Sequence, residues 1–84
     1  MDRHERVLQT ILGGRSDANI RFADLRALLF HLGFDERVRG GHHLFYKQGV
    51  VELINIQSRG GQAKPYQVRQ IRNIILKYKL GGDD

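Results

Sequence analysis

The chain has 84 residues, with 14 Lys and Arg against nine Asp and Glu, a formal net charge of +5, and no cysteine. That length points to one domain, residues 1–84, with a thin core. The lack of thiols excludes a disulfide framework and any thiolate metal site or nucleophile, and no apolar run approaches the roughly 20 residues that span a bilayer.

The opening MDRHERVLQTILGG is charged and helical in pattern rather than signal-peptide-like, so a cytoplasmic protein is expected. A first helix is predicted from Asp2 to Leu12, within an N-terminal segment 1–15. Asp2 caps it, Glu5 follows three residues later, and Val7, Leu8, Ile11 and Leu12 share a face before Gly13-Gly14 ends it. A polar linker, RSDAN, leads to the main body, residues 20–80. There Phe22, Leu25, Leu28, Leu29 and Leu32 recur at the spacing of a core-facing helical stripe. Asp24 in the first turn suits the helix dipole, and Gly33-Phe34 reads as a glycine C-cap with its apolar contact.

Three strands follow, near Glu36–Arg39, His42–Lys47 and Val50–Ile56, the last rich in β-branched residues and joined to the second by a Gln48-Gly49 turn. SRGGQAKP, residues 58–65, reads as a mobile basic loop. Pro65 opens a final helix to about Tyr78, with Val68, Ile71, Ile74, Ile75 and Tyr78 as its stripe. Residues 81–84 read as a disordered tail. The fold class is therefore α+β, in two layers: helices cover one face of a three-stranded antiparallel sheet and the other face stays open.

Charge divides along the chain. Residues 1–36 balance at −1, whereas residues 37–79 hold nine Lys and Arg against Glu52 alone, a balance of +8. The strand-rich half is thus the basic half, which favours a polyanionic partner, most often nucleic acid; the bland alternative, of equal weight on charge alone, is a solvated surface.

That half also carries the histidine pair in RVRGGHHLFYK. If Phe45 faces the core, alternation puts His43 and Lys47 on its side and His42, Leu44 and Tyr46 on the other. His42 follows Gly40-Gly41, where the lack of Cβ atoms lets another backbone approach. A histidine exposed there can take and give a proton near neutrality. RNA supplies its own nucleophile, the 2′-hydroxyl, so a base beside cations suffices to promote cleavage without a metal or other cofactor. A metal nuclease needs convergent carboxylates, and this half offers only Glu52. A His42–His43 metal pair is poor, because adjacent strand residues point apart. The structural alternative stays open for both histidines, and Arg59 and Lys64 either grip phosphate or are simply solvated. His4 and His31, on helices, read as structural.

Taken together, DLRALLFHLGF, then RGGHHLFYKQGVVELINIQ, then a basic last helix resemble the HicA family of toxins from bacterial toxin–antitoxin systems, over about residues 20–80. The resemblance implies a fold similar to the double-stranded RNA-binding domain. It also implies a metal-independent endoribonuclease that cleaves messenger RNA, and a HicB-like antitoxin that covers the active face. The family motif maps onto Gly40, Gly41, His42 and Phe45, with His42 as the catalytic residue; Gly41 stands where serine or threonine is usual. Arg39, Lys47, Arg59 and Lys64, with Gly40, Gly41 and His43, are the expected RNA contacts, and Tyr46 is placed to stack on a base or to pack. Two other readings are a non-catalytic RNA-binding module of the same fold and a protein adaptor that adds a partner's strand to the sheet edge.

Overall fold

The computed structural model describes residues 2–82; Asp83 and Asp84 of the expected tail lie outside the described residues. Helix α1 (Arg3–Gly13) starts where the Asp2 carboxylate accepts the Glu5 amide at 2.8 Å and stops at Gly14 in the left-handed conformation. A single 3₁₀ turn, Asp17–Asn19, leads into α2 (Phe22–His31). The end of α2 is a full Schellman motif: Gly33, at φ +96°, donates to Phe30, and Phe34 donates back to Leu29 while burying its ring.

Strands β1 (Asp35–Arg39), β2 (His42–Lys47) and β3 (Val50–Ile56) form an antiparallel meander in that order. Both joins are two-residue hairpins, Arg39 pairing with His42 and Lys47 with Val50. The β2–β3 register then slips between Phe45 and Lys47, so that His43 pairs with Ile56.

The segment predicted as a mobile loop is instead a small hairpin, β4 (Ser58–Arg59) and β5 (Gln62–Ala63). Gly60 and Gly61 both take positive φ, as a type I′ turn requires. The hairpin is tied to the start of α2: Phe22 donates to Gly61, and Ala63 donates to Ile20. Pro65 opens α3 (Pro65–Tyr78), and the buried Gln67 carbonyl oxygen accepts the Lys64 amide.

The core lies between the sheet and the helices. Leu25, Leu28 and Leu29 of α2 and Val68, Ile71, Ile74 and Ile75 of α3 close over Phe45, Ile54 and Ile56, and α1 adds Leu8 and Ile11. Each predicted stripe is thus the buried one, and the described residues form three α-helices on one side of a three-stranded sheet. The sheet's opposite face is bare: Val51 is 90%, Leu53 55% and Tyr46 42% exposed. No helix among the described residues is long and apolar enough to cross a membrane.

Candidate functional site

The β1–β2 hairpin presents His42. Gly40, first of the two turn residues, has φ +58°, whereas Gly41 lies outside the positive-φ region, the pattern of a type II′ turn. The turn ends β1 at Arg39 and starts β2 at His42, so the imidazole stands at the sheet's end on the open face. Arg37 and Arg39 share that face, since they pair with Leu44 and His42.

Two β3-side residues hold the ring. His42 Nδ1 lies 3.2 Å from Asn55 Oδ1, and His42 Nε2 lies 3.4 Å from Gln57 Nε2. The Gln57 oxygen in turn accepts from Lys64 Nζ at 3.3 Å, which brings a cation to the same cluster. Arg59 is exposed on β4, two residues beyond Gln57. Among the described residues, Arg37, Arg39, Arg59 and Lys64 have no carboxylate within ion-pair distance. Their charges are free to attract an anion.

His43 has a different environment. It faces the helices, its Nδ1 2.7 Å from Glu36 Oε2 and its ring edge-on to Phe22. Glu36 also accepts a two-pronged pair from the Arg26 guanidinium at 2.7 and 2.8 Å. That guanidinium, joined by His43, outweighs the opposing effect of burial and holds the Glu36 carboxyl down at about 2. Lys47 also points to the helical side, its ammonium beside the Gly33 backbone.

Of the expected site residues, the fold therefore gathers Gly40, Gly41, His42, Arg39 and Lys64 at one end of the open face, with Arg59 on the adjoining hairpin. His43 and Lys47 lie on the other face, where His43 braces Glu36.

Asn55 and Gln57 escaped the sequence reading. Extending the Lys47–Val50 pairing from the turn sets His42 opposite Asn55; the register slip moves it opposite Gln57, with Asn55 diagonal to it. Alternation from Ile54 and Ile56 was the available signal, since it puts both on the open face.

Arg72 and Lys77, by contrast, are internally committed. Arg72 pairs with Asp17 through both nitrogens, at 2.8 and 3.1 Å, and donates to the Ile11 carbonyl at the end of α1. Lys77 and the Tyr78 hydroxyl both donate to Glu52, pulling its carboxyl down to about 2. Farther along the open face, toward the β2–β3 turn, Arg37, Leu44, Tyr46 and Leu53 line a shallow apolar depression. Among the described residues no three His, Asp or Glu side chains converge as a metal site would require. No family model matches the chain, and no curated protein or solved structure matches it.

Proposed function

We propose that the protein is a metal-independent endoribonuclease with His42 as its general base. The observation that carries this reading is the solvent-exposed His42 ring, held by Asn55 and Gln57 on a bare sheet face beside the unpaired cations Arg37, Arg39 and Lys64. His42 takes the proton of a ribose 2′-hydroxyl, and the resulting oxygen attacks the adjacent phosphorus. The O2′–P bond forms and the P–O5′ bond breaks. The departing 5′-oxygen takes a proton from solvent, leaving a 2′,3′-cyclic phosphate and a 5′-hydroxyl. Arg39, Lys64 and Arg59 offset the charge gathering on the phosphate, and Gly40-Gly41 leaves room for the RNA backbone.

The resemblance to HicA toxins supports messenger RNA as substrate, the cytoplasm as the place of action and a HicB-like antitoxin as partner. It also supports kinship with the double-stranded RNA-binding domain, with α1 as an addition. The exposed Val51, Leu53 and Tyr46, on the same open face toward the β2–β3 turn and away from His42, favour the protein partner specifically: apolar side chains left bare on a sheet face are what a covering protein would bury.

The test is incubation with RNA in excess chelator. The native chain cuts, yielding cyclic-phosphate ends; His42→Ala does not, and RNA with a 2′-deoxy sugar at the scissile position resists. Equal cutting by both proteins, or a strict need for magnesium, overturns the assignment. Intact RNA with salt-sensitive binding would identify a non-catalytic RNA-binding module instead.

A further inference from the structure

We propose that Asn55 and Gln57 are positioning residues that hold His42 as the Nδ1–H tautomer, with Nε2 as the atom that accepts the proton and Lys64 setting the direction of the Gln57 amide. This rests on His42 as the base, and it fixes which atom of the ring does the work.

The assignment follows from which groups can only donate. A lysine ammonium has no lone pair, so the end of Gln57 lying 3.3 Å from Lys64 Nζ must be its oxygen. The other end, the NH₂ group, then faces the ring at 3.4 Å from Nε2. An amide NH₂ donates, so Nε2 must present a lone pair. A neutral imidazole carries one proton, which is therefore on Nδ1, and Asn55 Oδ1 lies 3.2 Å away to accept it. Each link is forced by the one before it, back to a side chain that cannot accept.

The arrangement suits a base in two ways. Asn55 accepts from Nδ1–H whether or not Nε2 has taken a proton, so the ring keeps its direction through the reaction. Gln57 holds Nε2 by a long contact that a ribose hydroxyl readily replaces. Once Nε2 is protonated, the NH₂ group and the ring are both donors, and Gln57 must turn away, freeing its own N–H for a phosphate oxygen. The relation of Asn55 to His42 is that of the asparagine that orients the histidine in cysteine proteases, built here on neighbouring strands.

The experiment pairs nitrogen-15 spectra of the His42 ring with RNA cleavage kinetics on the full chain and three variants at exposed or half-buried open-face positions. The native protein shows the Nδ1–H tautomer. Asn55→Ala gives a mixture of tautomers and lowers kcat about 10- to 100-fold with KM unchanged, part of the roughly 10²–10⁴-fold that a positioned base contributes. Asn55→Asp keeps an acceptor at Nδ1 and restores both the spectrum and most of kcat. Gln57→Glu replaces a donor to Nε2 with an acceptor, draws the proton onto Nε2 and lowers kcat. An Nε2–H ring in the native protein, or Asn55→Ala cutting at the native rate, overturns the positioning role while His42 as base survives. A locked Nδ1–H ring in a native protein that leaves RNA intact overturns the nuclease reading, and the catalytic role of both residues with it.

Discussion

His42 and His43 are neighbours with opposite surroundings, and a strand's two-residue period is the cause. His42 faces solvent beside amides; His43 is only 22% exposed at its side chain and sits between Glu36 and Phe22. The two substitutions should therefore separate. His42→Ala leaves the urea midpoint nearly unchanged, within about 0.5 kcal/mol, because exposed positions seldom contribute more, while RNA cleavage stops. His43→Ala lowers stability by about 1–3 kcal/mol through the lost contact to a charged partner and leaves the cleavage step intact in folded protein. Equilibrium melts beside an RNA assay check both. Gly41 is a third case at this scale. Its φ is not left-handed and open space surrounds its Cβ direction, so Gly41→Ser should fold with unchanged stability. Facing direction is thus legible from alternation, which separates the two histidines as the structure does. The partners of His42 are not, because an irregularity inside β3 shifts the pairing and no residue between Val50 and Ile54 announces it.

Among the elements, the three helices were the most legible, since each carries a stripe that has one side to bury. The β4–β5 hairpin is illegible in the sequence because strands of two residues have no periodicity to detect; Gly60-Gly61 between short polar runs is the clue to it. The joint between α1 and α3 was also invisible beforehand. Arg72 lay at the edge of the α3 stripe, and its partners Asp17 and the Ile11 carbonyl are 55 and 61 residues away in sequence. This one guanidinium donates to the Ile11 carbonyl in the last turn of α1 and to both oxygens of Asp17, whose carboxyl it holds below the usual aspartate value. Lysine cannot make the forked contact. Arg72→Lys should therefore destabilise the fold, by about 2 kcal/mol as for a lost charged hydrogen bond, measured by urea unfolding. Exposed Arg69, one turn away on the same helix, serves as the control, and its replacement by lysine should be neutral.

For the molecule as a whole, the excess of positive charge has a consequence in acid that runs through its few carboxylates. Asp2, Asp17, Glu36 and Glu52 are all held below their ordinary values by hydrogen bonds to amides, arginines, lysine or tyrosine. The unfolded chain therefore takes up protons at a higher pH than the folded one, and stability falls as pH drops. For Glu36 the window is set by its ordinary value of 4.5 and its folded value of about 2. Its contribution is complete above pH 4.5 and disappears as the pH falls through 2. With the carboxylate only 8% exposed but Arg26 43% exposed, that contribution is about 2 kcal/mol after discounting for solvent screening. Glu36→Gln keeps the shape and an acceptor but not the charge. Its stability deficit should be largest at neutral pH and shrink toward zero near pH 2, so that the two curves of unfolding free energy against pH converge in acid. Parallel curves would mean that the Arg26–Glu36–His43 cluster acts by packing alone. Convergence would show that the helix side of this sheet is pinned by a charge, on the face opposite the one where unpaired cations surround His42.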